Sequence, residues 1–568
     1  MSAPPPRPSG AAGGPTGLPR PRLLPLGDTG VLAEYAGEEI SDAANDAVRA
    51  LWHAVRQRPP AGFIEAVPAY RSLLVIYDPE RADAAEVCAA VSAACAQADP
   101  LALPPGRLVE IPASYGGTHG PDLAAVAVEV GLSESEVISL HSGQEYRVYM
   151  LGFTPGYPYM GTLPPRLRVG RLASPRTHVP ERSVAIAGQQ TGIYPVASPG
   201  GWRLIGRTPL RIYDPGRASP FLLDAGDRVR FVPISAAEYA REAPQDAPPA
   251  PVPAPSRPDL VVEEGGLLTT VQDLGRPGYR RFGLPQGGGM DSLSLRITNL
   301  LLGNIAGAAV LEFTSPGPRL VAGRRTVVAL GGADHSPSVN GRPAPMWSAF
   351  ELREGDVLAF GTPRSGQWGY LAVPGGFAVP EVLGSRATYA RGGLGGYGGR
   401  ALGDGDRLSA SRRAPTVRLA LPPGRLPPVG GASSLRMVIG PQDDYFTEES
   451  LAMLCREEYR ISTEIDRLGY RLLGPRLSHR AKTEMLSDGL LPGAVQVPAG
   501  GQLIVIMPDG PTSGGYPKIG AVLRPDLRLL AQARRNDVIR FQAVSWERAH
   551  EAAREEAAYM ASLRFLSA

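Results

Sequence analysis

The sequence predicts a β-rich α+β protein, with β-barrels in both halves and a small α+β subdomain at the N-terminus. Three observations lead there. Gly (69) and Pro (59) are abundant among 568 residues and helical patterns are few, so strands are short and turns many. A Pro/Ala run at residues 242–258, EAPQDAPPAPVPAPSRP, reads as a semi-rigid linker that splits the chain in two. Similar segments recur on either side of it. Ser198-Pro-Gly-Gly-Trp-Arg-Leu-Ile-Gly-Arg-Thr matches Ser315-Pro-Gly-Pro-Arg-Leu-Val-Ala-Gly-Arg-Arg-Thr with one insertion, and Asp-x-aliphatic-x-Phe returns at Asp227, Asp356 and Asp537. Either similar turns have converged on similar residues, or β-units are duplicated. Duplication predicts related barrels facing each other across a cleft, a favoured place for ligands.

In order along the chain, residues 1–23 are a Pro/Gly/Arg tail with no apolar signal core, expected to be disordered. Val31–Tyr35 alternates as a strand. Ser41 caps a helix whose apolar face carries Ala44, Val48, Leu51 and Val55. LLVIY, residues 73–77, reads as a buried strand, and a second helix follows over 83–97. A strand at 108–111 and a helix opened by the Ser133/Glu136 capping box complete a β-α-β-α-β-α subdomain over 24–145. From Tyr146 short strands alternate with Gly/Pro turns, the pattern of a barrel or sandwich, within a first-half domain of 24–241. The second half, 259–543, opens with a strand at 260–263 and a helix capped by Asp291. Short strands follow at 327–330, 357–360 and 370–373. A last unit from Leu435 carries a helix at 447–458 and closes at 537–541; residues 544–568 read as a C-terminal helix.

Composition narrows the function. A chain of this length exceeds a single core. The net charge of +3 comes from mixed acids and bases, and no nucleic-acid-reading signature occurs. No apolar run is long enough to span a membrane, and three scattered cysteines fit a reducing compartment, so a cytoplasmic protein is expected. The sequence contains no phosphate loop ending Gly-Lys-Ser/Thr, no Gly-x-Ser-x-Gly elbow in a strand–turn–helix setting, no zinc-type His/Cys spacing and no Met-Lys-Met biotin acceptor. Gly287-Gly288-Gly289 precedes a helix, but Asp291 as its cap would repel an anion. No metal site is expected.

One stretch stands out. The chain has only two lysines, Lys482 and Lys518, amid abundant arginine. Lys518 follows a strand (LIVIM) and a Gly-Gly-Tyr-Pro turn, and lysine, unlike arginine, can shift its pKa when buried. Other polar residues sit in or near β-turns. They are Arg176, Gln190, Thr191 and Tyr194 in the first half. In the second they are Gln272, Asp273, Arg276, Asp334, Arg467, Asp488, Asp509, Thr512 and Tyr516 beside Lys518. Arginine forks suit carboxylate or phosphate, and a buried Asp or Lys suits proton transfer or oxyanion stabilisation.

Long motifs carry a family resemblance. YMLGFTPGYPYMGTLPPRL, SPRTHVP and IAGQQTGIYPVASPGGWRLIGRTPLRIYDP resemble allophanate hydrolase subunit 1, the family of the 5-oxoprolinase B-type subunit. VQDLGRPGYRRFGLP, GMDSLSLRITNLLLGN, IDRLGYRLLGP, SDGLLPGAVQVPAGGQLIVIMPDG and TSGGYPKIGAVLRPDL resemble allophanate hydrolase subunit 2, the family of the 5-oxoprolinase C-type subunit. The resemblance implies cyclophilin-like β-barrels in both halves and a natural fusion of two subunits. It implies an ATP-dependent 5-oxoprolinase component, with Mg expected alongside ATP, that opens 5-oxo-L-proline to L-glutamate with a separate 5-oxoprolinase A-type subunit. The alternatives it carries are carboxyl transfer from carboxybiotin to urea or a related amide, and regulation of a histidine kinase. Carried onto matching positions, Arg467 and Arg276 hold substrate carboxylate or phosphate. Lys518 stabilises charge on the amide oxygen, and Asp334 or Asp488 moves a proton. Gln190, Thr191 and Tyr194, with Arg176, Thr512 and Tyr516, complete the substrate wall.

Overall fold

A computed structural model describes residues 20–243, 252, 255–430 and 434–568. Most of the expected tail and linker lies outside the described residues. Ordered structure nevertheless begins inside the expected tail, because Arg22–Leu26 is a strand (β1).

β1 pairs with Gly30–Glu34 (β2) in an antiparallel sheet completed by Phe63–Pro68 (β3) and Ser72–Tyr77 (β4), in the order β1-β2-β4-β3. Helices Asp42–Gln57 (α1), capped by Ser41, and Ala84–Gln97 (α2), capped by Asp83, cover one face. Strand alternation explains why LLVIY is apolar throughout. Leu73, Val75 and Tyr77 face the helices, whereas Leu74 and Ile76 pack on Leu490, Leu491, Ile506 and Ala521 of the last unit. The N-terminal sheet is thus the layer between its own helices and the far half of the chain. The C-terminal helix, Trp546–Ser562, adds a contact to the helix-covered face, where His550 lies 2.7 Å from the Tyr77 hydroxyl.

The expected subdomain over 24–145 is shorter than that. The strand Leu108–Tyr115 runs parallel to Arg228–Pro233 and closes a seven-stranded barrel, barrel one, so the capped helix Glu134–Ser142 belongs to the barrel as well. Ile111, Val148, Met160, Ile186 and Phe231 fill its core. In the second half two sheets of six and five strands enclose Leu260, Leu311, Leu320, Val328 and Leu371. Helix Ser292–Leu300, capped by Asp291, covers the outer face of the five-stranded sheet. A second closed barrel of seven strands, barrel two, follows.

Both barrels are closed by the same device: the first strand lies parallel to the last, Leu108–Tyr115 with Arg228–Pro233 and Ser434–Ile439 with Val538–Ala543. Asp227 and Asp537 stand at equivalent turns before those last strands. Each accepts the backbone N–H three residues back, from Asp224 (2.9 Å) and Arg534 (2.8 Å). Asp356 makes the same turn with Arg353 (2.7 Å) but opens a strand of the two-sheet unit. Ser198 and Ser315 likewise occupy unlike places: Ser198 begins a strand beside barrel one, while Ser315 lies in a turn between sheets of the middle unit. That pair reflects convergent turn chemistry, not a duplicated barrel unit. Among the described residues no helix is long and apolar enough to cross a membrane.

Candidate active site between the halves

Lys518 starts a strand of barrel two and is fully buried. Its Nζ lies 3.1 Å from Asp488 Oδ2. Asp488 sits in a two-residue strand paired with Ser513–Gly514, and that short ribbon packs on β4 of the N-terminal sheet. Its carboxylate is held from four sides. Gln442 Nε2 donates to Oδ2 at 3.2 Å, the Gly489 N–H to Oδ1 at 2.7 Å, and Ser72 Oγ, from the first half, also to Oδ1. Gln442 Oε1 in turn accepts the Lys518 N–H at 3.2 Å. An ammonium carries three donors, so Asp488 leaves two for another oxygen. The pair can hold charge on an amide oxygen, and the first half completes it.

The first-half wall is a tyrosine cluster at the same junction. Gln190 Nε2 donates to the Tyr70 hydroxyl, and Tyr70 packs against Tyr149 and Tyr159. Tyr157, Tyr194 and Trp202 extend it by edge-to-face contacts. Burial pushes the Tyr159 and Tyr194 hydroxyls up to about 12, against the pull of Arg171. Leu486 joins this cluster from the second half. Gly152 of barrel one meets the Ser513 hydroxyl so closely that a Cβ would come within 2.0 Å of Oγ. Thr512 Oγ1 and Ser513 Oγ are buried there without a hydrogen-bond partner.

Several expected site residues stand elsewhere. Thr191 follows Gln190 in a strand, so its side chain points to the opposite face, into barrel one. There it meets His141 Nε2 at 2.9 Å and donates to the Ala185 carbonyl. Burial holds that histidine down to about 3, so it stays neutral. Arg176 pairs with Asp122 at 2.6 Å behind the tyrosines. Asp334 lies at the half-buried edge of the middle sheet, opposite Ser365 and 3.9 Å from Arg364; none of its partners belongs to the Lys518 cluster. Tyr516 is 36% exposed and offers its carbonyl to Gln496.

The two arginines differ. Arg467 is mostly committed: it forks onto Asp509 (2.7 and 3.0 Å), donates to the Gly288 carbonyl (2.7 Å), and pairs with buried Glu312. Burial alone would lower its pKa, but the two carboxylates raise it above the ordinary value. Glu312 goes up because burial outweighs Arg467. Arg467 is therefore chiefly a strut, with four of its five N–H donors already placed. Arg276 is as deeply buried but donates only to the Ala387 carbonyl; its Nε and Nη1 have no partner.

Sequence reading missed Ser72, Gln442, Tyr70 and Glu312. None carries a local signal, since each matters through a contact distant in sequence. The residues present do not fit ATP phosphates at the triple glycine. The Gly287 N–H donates to the Pro508 carbonyl, the Gly289 N–H to Asp273, and the Asp291 side chain caps the following helix. Among the described residues no group of three His, Cys, Asp or Glu could hold a metal ion.

Comparison with known proteins agrees with this two-part architecture. Residues 21–223 match the model "Carboxyltransferase domain, subdomain C and D", and 282–543 match "Carboxyltransferase domain, subdomain A and B". The B-type subunit of the Bacillus subtilis 5-oxoprolinase is 43% identical over 39% of this chain and 95% of its own length. The C-type subunit of the Escherichia coli enzyme is 36% identical over 54% of this chain and 97% of its own. The urea amidolyase of Lachancea kluyveri is 33% identical over 51% of this chain but only 17% of its own length. The crystal structure of TTHA0988 covers 90% of this chain and 99% of its own at 39% identity, with a TM-score of 0.80. The Kluyveromyces lactis urea carboxylase superposes on 54% of this chain and 29% of its own at 30% identity, with a TM-score of 0.50. The chain belongs to the carboxyltransferase-domain family of the B-type and C-type 5-oxoprolinase subunits, with both joined in one polypeptide.

Proposed function

We propose that the chain is the B/C component of a 5-oxoprolinase, opening 5-oxo-L-proline to L-glutamate together with a separate A-type subunit that uses ATP. One observation carries the reading: Ser72 of the B-like half holds Asp488, the partner of Lys518 in the C-like half, so the buried pair needs both halves. Lys518 Nζ stabilises negative charge on the amide oxygen as the C–N bond opens. Asp488, fixed by Ser72 and Gln442, orients the ammonium and balances its charge. Nucleotide and Mg are assigned to the A-type partner; at the triple glycine of this chain the Gly287 and Gly289 N–H groups already donate to Pro508 and Asp273. The free cysteines Cys88, Cys95 and Cys455 suit a reducing, cytoplasmic setting.

A second reading has its own support. The matching family models are carboxyltransferase domains, and urea carboxylase is among the structural relatives. Here the same Lys518 pair would stabilise an amide acquiring a carboxyl group from carboxybiotin. ATP-dependent release of glutamate from 5-oxoproline, with and without the A-type subunit, separates the two readings. Carboxylation of urea with a biotin carrier, and no glutamate, would favour the second.

A further inference from the structure

A cavity outside the Lys518 pair opens where helix α1 meets barrel one. It holds about 580 Å³, a volume within the range of small-molecule sites, and joints between folding units are favoured places for them. Arg49 and Asp46 of α1 form one wall, and Arg147 and Tyr149 of the strand Glu145–Leu151 form another. Leu103, Pro104 and Pro105 line a third side. Tyr149 also packs on Tyr70, so the cavity backs onto the tyrosine cluster of the candidate active site.

The charges in this cavity are unevenly spent. Each carboxylate on its walls is already met by a close donor. Asp42 accepts from the Tyr149 hydroxyl at 2.7 Å, Asp46 pairs with Arg147 at 3.0 Å, and Glu145 pairs with Arg228 at 2.9 Å and Arg230 at 2.5 Å. Arg49 is placed less well. It is 7% exposed, its contact with Asp46 is long at 3.4 Å and shared with Arg147, and its Nε is buried without a partner. Asp224 attracts it from a distance but is forked by Arg281. Burial and the nearby Arg147 charge both lower the Arg49 pKa, yet a guanidinium stays charged. A Cβ on Gly226 would lie 2.2 Å from Arg49 Cζ, nearer than to Nη2 (2.3 Å) or Nε (2.5 Å), so the guanidinium rests its face on that glycine. Its N–H groups lie in the plane, so this packing fixes the fork without using a donor.

We propose that the cavity binds a small organic anion: Arg49, with the charge of Arg147 beside it, receives a carboxylate or phosphate-ester oxyanion, and Leu103, Pro104 and Pro105 cover its apolar body. An arginine fork suits either oxyanion, and the unspent charge on the walls is positive. The site is independent of which amide is turned over at Lys518.

The test is calorimetric titration of the whole chain with benzoate, phenyl phosphate and benzyl alcohol, which has the ring without the charge. At least one anion is expected to bind saturably, about 10-fold or more tighter than the alcohol. Arg49→Gln should weaken the anion by about 10- to 100-fold, the scale of a charge-assisted hydrogen bond, with an unchanged circular-dichroism spectrum. If Arg49→Gln does not fold, Pro105→Glu brings a carboxylate to the rim from an exposed loop position, and should weaken the anions but not the alcohol. Tighter binding of benzoate would assign the site to carboxylates, and tighter binding of phenyl phosphate to phosphate esters. No saturable binding of either anion, equal binding of the alcohol, or anion affinity unchanged in the folded variants would overturn the proposal.

Discussion

Replacing Lys518 by Met isolates the buried pair. The change removes the ammonium 3.1 Å from Asp488 and leaves a carboxylate that is 2% exposed without its counter-charge. Breaking a buried pair on one side typically costs about 3–5 kcal/mol. Ser72, Gln442 and the Gly489 N–H still solvate Asp488, which puts the expected loss near the lower end, about 3 kcal/mol. Adding Asp488→Asn removes the orphaned charge while keeping its shape, and leaves one donor facing the new amide, the Gly489 N–H or Gln442 Nε2 according to how the amide sits. The double variant should recover about 2 kcal/mol of the loss. Hydrogen exchange of the barrel-two amides reads this locally, whatever the other units do. Additive effects, with the double variant as unstable as the sum of the two single ones, would refute the coupled pair. Turnover should vanish in both Lys518 variants.

Three other outcomes follow from the packing. Thr191→Val should cost about 1 kcal/mol of barrel-one stability, by depriving His141 Nε2 of its partner, and leave turnover within about twofold; a large loss of activity would return Thr191 to the site. Because His141 titrates at about 3 in the fold and at about 6.5 when free, the unfolded chain binds more protons between those values. Its contribution is complete above pH ~6.5 and falls by about 1.4 kcal/mol per unit as pH drops toward 3, so barrel-one protection factors, exchange normalised by the intrinsic amide rate at each pH, should fall from pH 6 to 5; unchanged protection there would contradict it. A protease site engineered into residues 244–251 should, once cut, leave the halves together in gel filtration, because Leu26, Leu32, Leu74 and Ile76 pack on barrel two. Separation of the halves would mean that this core does not hold them.

Much of the fold is local in origin and was readable. Ser41, Ser133 and Asp291 cap helices where expected, because capping depends on a few neighbouring residues, while Asp83 and Thr447, read as helix starts, are caps just outside their helices. Barrel closure was legible only as a class. Nothing local says that Leu108 pairs with Arg228 rather than extending the N-terminal sheet. The site divides the same way. Lysine scarcity pointed to Lys518, whereas Asp488 was one turn residue among several and took its role only from the family resemblance. Ser72 lies 416 residues from Asp488, and no pattern links them. Arg467 and Arg276 look alike in sequence; only the fold reveals that one guanidinium is tied to two carboxylates and the other to a single carbonyl. Gln190 and Thr191 were grouped together although a strand must send them to opposite faces, and alternation alone would have separated them.

The account turns on the fused chain working as one B/C unit on a lactam. The direct measurement is glutamate released from 5-oxo-L-proline with ATP, using the wild type and Ser72→Ala, each with and without the A-type subunit. Release that needs both proteins, and that falls in Ser72→Ala while barrel two stays folded, is the predicted result. No release with the partner present, or full release by Ser72→Ala, would contradict a site completed across the two halves.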